Sequence, residues 1–224
     1  MQWNFYLSGI LYGKFYVKDN DIFVEKLDAA KGIWYPKETF TEESDDFFKK
    51  LCSRSLLDFF KNKKEYEEKI SEGADEFTAS SGETFSNRRN EVYFQRQKKF
   101  PKDLFYDEDG IYAVLMSGRD FAAVLVKNGE EDRTILSRWK KAFPEPPAAV
   151  NFLGTFFVDT RDGEKLATDV YLPKGEAYKE QKVPSVLIRT PYGKGERPEQ
   201  YYRFVQRGYA VVIQDTRGRE DSTG

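Results

Sequence analysis

The sequence contains no histidine among its 224 residues. That absence excludes a Ser/His/Asp triad completed by this chain alone, a histidine general base and most zinc sites. A single cysteine, Cys52, excludes an intrachain disulfide, and the N-terminus lacks a basic segment followed by a long apolar run. We therefore expect a protein of the reducing cytoplasm.

Neither positive nor negative charge is in large excess. Lysine and arginine total 36 against 38 aspartate and glutamate residues, a net charge of −2. Such a chain has no global basic field to attract nucleic acid or an anionic membrane, so we expect neither as a partner. Residues 73–103 do interleave basic with aromatic side chains, as single-stranded nucleic-acid grooves do. We favour an amphipathic element with a solvated charged face there.

What the sequence does contain is enough apolar material for one large domain or two small ones. Apolar side chains make up 39% of the chain and aromatic ones 16%. A stiff segment from Pro144 to Ala149 holds three prolines and would interrupt any sheet or helix. We place a domain boundary there, and expect domains at 1–149 and 150–224.

Strand and helix patterns alternate in the first region. The runs Phe15–Val17 and Ile22–Val24 predict one β-hairpin across 18–21, and Ile111–Met116 with Phe121–Val126 predict another across 117–120. Between them, Thr39 and Glu42 form a capping-box pattern that predicts the start of a helix. The expected architecture is an α+β region of hairpins and helices, whose role the sequence does not assign.

Apolar residues recur at three- and four-residue spacing after that cap, which predicts one shared helical face: Phe48, Leu51, Cys52, Leu56, Phe59 and Phe60. Because Cys52 lies on this face and no histidine can activate it, we expect a buried structural thiol.

The second region begins with an antiparallel pattern and continues with a parallel one. Thr155–Val158 and Leu166–Leu172 predict a hairpin. Val186–Ile188 and Tyr209–Gln214 are unbroken apolar runs that flank a helix from about Pro198, which is typical of a βαβ unit covered on both faces. Gly208 is placed to cap that helix in the left-handed conformation. We also expect the strand 209–214 to lack its next neighbour, leaving an open apolar edge.

Three runs in this region carry a family resemblance: VDTRDGEKLATDVYLP, VPSVLIRTPYGK and RFVQRGYAVVIQDTRGREDSTG. They resemble the opening of the catalytic domain in the CocE/NonD-type acyl hydrolases, the S15-like family of cocaine esterase and X-prolyl dipeptidyl peptidases. The resemblance covers about 152–224. It implies an α/β fold, with the opening strands of an α/β-hydrolase over residues 150–224.

The activity that the resemblance implies is hydrolysis of an ester or amide through an acyl-serine intermediate. The substrate would be a small-molecule or peptide acyl compound, with no metal or organic cofactor. In that family the serine lies on a Gly-x-Ser-x-Gly-like elbow downstream of the Asp-Thr-Arg-Gly segment, and the acid and histidine follow. The chain to Gly224 contains none of the three, so we expect it to be inactive alone.

One residue of the family's oxyanion hole does fall within the chain. Tyr192 matches the tyrosine of the Arg-x-Pro-Tyr motif, whose hydroxyl donates to the oxyanion in the family. A phenol held at the carboxyl end of a strand can stabilise the negative charge of a tetrahedral intermediate. Arg189, Asp215 and Arg217 are expected to support the site as an ion-pair set that holds the two strand ends.

The same stretch also imitates a dinucleotide-binding fingerprint. Gly193 and Gly195 lie between a strand and a helix, and Asp215 ends the next strand 22 residues after Gly193. Pro198 argues against this alternative, because it occupies the place of the third glycine, where close packing needs a bare Cα. A further alternative, of another class, is that residues 1–149 form an independent binding or oligomerisation module.

Overall fold

The computed structural model describes residues 1–19, 21–89, 91–119, 121–142, 147–178, 182–196 and 198–224. Asn20 and Asp120 in the predicted turns, and Pro144 and Pro146 in the predicted boundary, lie outside the described residues. The strands are β1 (Gln2–Leu7), β2 (Ile10–Lys18), β3 (Asp21–Asp28), β4 (Ile33–Trp34), β5 (Glu38–Thr39), β6 (Glu76–Thr78), β7 (Thr84–Arg89), β8 (Val92–Gln95), β9 (Lys102–Asp107), β10 (Gly110–Ser117), β11 (Ala122–Lys127), β12 (Ala149–Asp159), β13 (Lys165–Lys174), β14 (Ser185–Thr190) and β15 (Ala210–Asp215). The α-helices are α1 (Glu42–Cys52), α2 (Leu56–Ser71), α3 (Leu136–Ala142) and α4 (Tyr202–Val205). The fold is mixed α/β.

The chain divides into two compact units. The first contains residues 1–26 and 35–142, and the second contains residues 27–34 and everything after residue 142. The expected division at 149/150 differs in two places. Residues 27–34 join the second unit, where the carbonyl of Ala29 accepts a 3.2 Å hydrogen bond from the N–H of Val150, and residue 149 is already the first residue of β12.

An antiparallel sheet dominates the first unit. Its strand order is β3-β2-β1-β11-β10-β9-β8-β7-β6, with β5 added to β3. Both predicted hairpins are confirmed, since β2 pairs with β3 and β10 pairs with β11. Strand β10 is buried on both faces because α2 contacts it and Leu136 of α3 packs against a cluster that includes Tyr112 and Ala113.

Helix α1 begins two residues later than the sequence predicts. Thr39 lies in β5, and Thr41 is the cap: its Oγ1 accepts from the N–H of Ser44 at 3.4 Å, while the Ser44 hydroxyl accepts from the N–H of Thr41 at 2.8 Å. The expected single helical face is also divided. Ser53 adopts φ 54 and ends α1, and Ser55 caps α2.

The core of the first unit is built largely from aromatic rings. Phe15 lies 4.9 Å from Phe40 and 5.0 Å from Phe48 between ring centroids, and Trp3 lies 5.7 Å from Phe59. Cys52 is buried at the edge of this core, as expected.

A four-stranded sheet forms the second unit, in the order β12-β13-β15-β14. β12 and β13 are antiparallel, as predicted, and β14 and β15 are parallel, which confirms the βαβ unit. Gly208 has φ 87, the left-handed conformation expected of it. The expected open edge at β15 is wrong: β15 lies between β13 and β14, so β14 and β12 are the edges.

Within the described residues, one face of this sheet is covered by α4 and its neighbours, and the other face is covered only in part. Tyr201, Tyr202 and Phe204, around α4, pack on a buried cluster that includes Val205 and Ile213. The register places Arg189, Gln214, Thr168 and Phe156 side by side on the other face. There Phe156 and Leu187 are exposed, at 49% and 56%, whereas Thr168 and Gln214 are buried. The expectation that both faces are covered is therefore wrong for β14 within the described residues, while β15 is buried or half-buried along its length.

Candidate functional site

The parallel strands β14 and β15 end side by side, with Thr190 opposite Asp215. The loops that follow them therefore meet at one end of the sheet, where α/β proteins place their sites. A cleft of about 260 Å³ lies there, lined by Thr190, Tyr192, Gly193, Lys194, Glu196, Gln200, Tyr201 and Ile213.

Tyr192 lies at this cleft with 81% of its surface open to solvent. Its backbone N–H donates to the hydroxyl of Thr190 at 3.1 Å. Gly193 follows with φ 92, which a residue with a Cβ rarely adopts. No hydrogen bond joins the Tyr192 hydroxyl to another described residue, so this hydroxyl can donate to a ligand oxygen in the cleft.

Lys194 ties the same loop to the sheet. Its backbone N–H donates to Oδ1 of Asp215 at 2.7 Å, and its ammonium lies 3.5 Å from Oδ2 of that carboxylate. The ammonium also donates to the carboxylate of Asp221. Lys194 and Asp215 are both buried, which makes the pair a fixed part of the unit rather than a surface contact.

The ammonium of Lys194 is held in its charged form. Burial alone would lower its pKa, but the hydrogen bond to Asp221 and the nearby carboxylates of Asp169 and Asp215 outweigh burial and raise the pKa. A cation is therefore present beneath the Tyr192 loop at neutral pH.

The last residues of the chain complete the support. Asp215 accepts at its carbonyl from the hydroxyl of Ser222 at 3.0 Å, and that hydroxyl accepts from the N–H of Ala167 at 2.9 Å. Thr223 pairs with Lys165 through bonds of 2.8 and 2.9 Å. These bonds hold residues 216–224 along β13, beyond the end of β15.

The ion-pair set expected from Arg189, Asp215 and Arg217 is not present among the described residues. Asp215 is paired with Lys194, and Arg217 lies on the surface with Asp162 and, at 3.8 Å, Glu164. Arg189 is exposed on β14 and forms no ion pair with a described carboxylate. Its side chain points to the face of the sheet opposite Asp215, because adjacent residues of a strand alternate between faces.

Sequence reasoning missed Lys194, Asp221 and Ser222. Each is a single polar residue in a loop, and its partner lies 21 to 55 positions away in the chain. No local pattern identifies such a contact. The signal that the sequence offered was the position of Lys194, two residues after Tyr192 at the end of a predicted strand.

The described residues contain no group of three or more cysteine, aspartate and glutamate side chains placed to hold a metal ion. Within the same residues, each helix is too short or too polar to cross a membrane.

Comparison with known proteins finds a family match within the second unit. Residues 162–224 match the family model of the X-Pro dipeptidyl-peptidases of the S15 family. Cocaine esterase from Rhodococcus sp. (strain MB1 Bresler) is 42% identical over 73 residues, which cover 30% of this chain and 12% of that protein. The resemblance to the CocE/NonD-type S15 family is thereby confirmed for this segment.

Two solved structures also share sequence with part of the chain. An α-amino acid ester hydrolase is 33% identical, with 34% of this chain and 14% of that chain covered and a TM-score of 0.29. An aminopeptidase from a marine sediment Thaumarchaeota archaeon is 30% identical, with 37% and 16% covered and a TM-score of 0.29. The chain thus spans less than a fifth of each of these relatives.

Proposed function

We propose that the second unit is the opening part of an α/β-hydrolase domain in a serine hydrolase. The enzyme would cleave an ester or amide of a small-molecule or peptide acyl substrate through an acyl-serine intermediate. The observation that carries the proposal is Tyr192. Its hydroxyl, which no other described residue bonds, stands in a cleft at the carboxyl end of β14, inside the segment that matches the S15 family model.

In this reaction Tyr192 is the catalytic residue that the chain supplies. When a serine attacks the acyl carbon, negative charge develops on the former carbonyl oxygen. The phenol donates a hydrogen bond to that oxygen. Thr190 and Gly193 shape the turn that presents the ring, and Lys194 anchors it from below.

The serine, its acid partner and the histidine belong, in this proposal, to sequence outside the 224 residues. The absence of histidine supports this assignment, as does the match of the chain to only 12% of cocaine esterase. The chain alone is then expected to be inactive.

Active-site labelling of two proteins tests the proposal. The 224-residue chain and the protein encoded by its complete gene would be treated with a fluorophosphonate probe and assayed on activated esters and X-Pro dipeptide anilides. We expect labelling and turnover only in the protein that carries a Gly-x-Ser-x-Gly serine, with an alanine variant of that serine as control. Stoichiometric labelling of the 224-residue chain, or an inert complete protein, would overturn the proposal.

A second function concerns the first unit. Its own aromatic core and its own sheet favour an independent module, because a unit with a separate core can fold without its neighbour. We propose a binding or oligomerisation role for it. Expression of residues 1–142 alone tests this: a folded, ligand-competent or oligomeric product supports the module, and an unfolded product contradicts it.

A further inference from the structure

The loop that carries Tyr192 follows β14 and turns at Gly193. The next residue, the buried Lys194, bonds the loop to β15. The proposed function uses the tyrosine and leaves the lysine without a chemical role.

We propose that Lys194 is a positioning residue for Tyr192, acting through a buried bridge to Asp215 and Asp221. This inference rests on the proposed function and adds to it the groups that fix the oxyanion donor in place. The side chain of Lys194 is buried beneath the loop and does not need to touch the substrate.

The first part of the bridge is the bond between the Lys194 N–H and the Asp215 carboxylate, at 2.7 Å. This bond fixes the backbone only two residues after Tyr192. On the other side of the tyrosine, the carbonyl of Thr190 accepts from the N–H of Thr216 at 3.0 Å. The tyrosine is therefore held between two attachments to the end of β15.

The second part is the lysine side chain. Its ammonium contacts Asp215, 3.5 Å away, and donates to Asp221 in the last segment of the chain. Because Asp215 is fully buried, its charge needs this cation: a buried carboxylate left alone would be strongly unfavourable. Loss of the ammonium would leave this buried carboxylate without its cation, and the bond of Asp215 to the Lys194 N–H would change with it.

The third part is the contact between the Tyr192 loop and the last segment of the chain, residues 216–224. The ammonium of Lys194 joins Asp221 next to Ser222, whose hydroxyl is bonded to both Asp215 and Ala167. One lysine thus connects the Tyr192 loop, the end of β15 and the segment that runs along β13. An oxyanion donor needs this kind of fixation, since it stabilises charge only when it is already in place.

Lys194→Met tests the bridge, because methionine keeps much of the length of the side chain and removes the charge. Hydrogen exchange on the 224-residue chain should show faster exchange in residues 190–196, with sheet amides of β13 and β15 unchanged. Lys165→Met is the matched control: it removes an exposed lysine paired with Asp159 in the same unit and should leave residues 190–196 unchanged.

In the complete, active protein, Lys194→Met should lower kcat by up to roughly 100-fold with KM little altered, since a misplacement of about 1 Å can cost that much. Lys194→Arg should restore most of the rate because it returns a cation to the carboxylates. If Lys194→Met fails to fold, Asp221→Asn takes its place, since Asp221 is mostly exposed and its loss removes only one contact.

The outcomes separate this inference from the proposed function. Unchanged exchange in residues 190–196 overturns the bridge, whatever the activity. A loosened loop with normal kcat, in a protein where Tyr192→Phe is slow, overturns the positioning role and leaves the proposed function standing. Normal kcat in Tyr192→Phe overturns both. A loosened loop, a lower kcat and rescue by arginine together support the inference.

Discussion

Thr190 and Asp215 are direct partners in the parallel pair of β14 and β15, and each is the last residue of its strand. The hydroxyl of Thr190 accepts from the N–H of Tyr192, and the carboxylate of Asp215 accepts from the N–H of Lys194. The neighbouring ends of β14 and β15 therefore bond two residues of one loop, Tyr192 and Lys194. The candidate site depends on that pairing.

Tyr192→Phe, made in the complete protein, removes one oxygen and keeps the ring. If the hydroxyl donates to the oxyanion, kcat and kcat/KM should both fall roughly 100- to 1000-fold, or about 2.7 to 4 kcal/mol, with KM little changed. The melting temperature should not change, because the side chain is 81% exposed. Tyr209→Phe, at another exposed tyrosine of the same unit, is the control and should behave as wild type. Normal turnover in Tyr192→Phe would remove this residue from the mechanism.

Thr41→Ala should destabilise the first unit by about 1 kcal/mol, the usual cost of losing an N-cap. The hydroxyl of Thr41 accepts from the N–H of Ser44 at the start of α1. Thr39→Ala makes the same chemical change two residues earlier, in the exposed strand β5, and should cost much less. Urea unfolding of both variants measures the difference. Equal losses would mean that the cap is not at Thr41.

Glu83→Gln should destabilise the first unit by about 3 kcal/mol, because it leaves the buried ammonium of Lys102 without its counter-charge. Glu83 also accepts from Tyr66 at 2.5 Å and from Gln95 at 2.9 Å. Glu68→Gln is the control, since Glu68 is exposed and lies 3.7 Å from Lys64. Thermal unfolding at neutral pH should separate the two variants clearly.

The same glutamate predicts a loss of stability in acid. Burial would raise the pKa of Glu83, but the Lys102 ammonium, together with hydrogen bonds from Lys102 and Tyr66, lowers the pKa below its ordinary value of 4.5. A lowered folded-state pKa stabilises the fold above that ordinary value, and the contribution disappears as the pH falls through the folded-state pKa. The fall in melting temperature below about pH 4.5 should therefore be smaller in Glu83→Gln than in wild type. A parallel fall in the two proteins would contradict this assignment.

Cys52 should resist alkylation in the folded chain. Burial raises the pKa of its thiol to about 12, so almost no thiolate exists near pH 8. Maleimide should therefore modify the protein only after unfolding in guanidinium, and mass spectrometry would follow the added mass. Rapid labelling of the folded chain would show that Cys52 is accessible.

The 224-residue chain should self-associate through the outer edge of β12. Residues 149–158 carry no charge, and Phe157 is 56% exposed, so this edge has none of the charged residues that keep strands from pairing. Phe157→Lys should reduce light scattering at high concentration, whereas Ile135→Lys, at an exposed site of the first unit, should not. A chain that stays monomeric at all concentrations would show that the edge of β12 does not pair with a second copy.

The sequence by itself determined the local elements of this protein. Runs of apolar and β-branched residues predicted its strands, because such patterns depend on nearby positions. The structure confirms both hairpins of the first unit, the hairpin of β12 and β13, and the parallel pair of β14 and β15. The motif around Tyr192 likewise pointed to the S15 family, and the family model confirms the match. The buried state of Cys52 followed from the helical spacing together with the absence of histidine.

The tertiary structure decided every contact between distant residues. It placed residues 27–34 in the second unit and moved β15 from the edge of the sheet to its interior. It also paired Asp215 with Lys194 instead of an arginine, because Arg189 faces the opposite side of β14 and Arg217 reaches Asp162 on the surface. Periodicity states which face of a strand a side chain occupies, and only the packing of the strands determines which charges share that face.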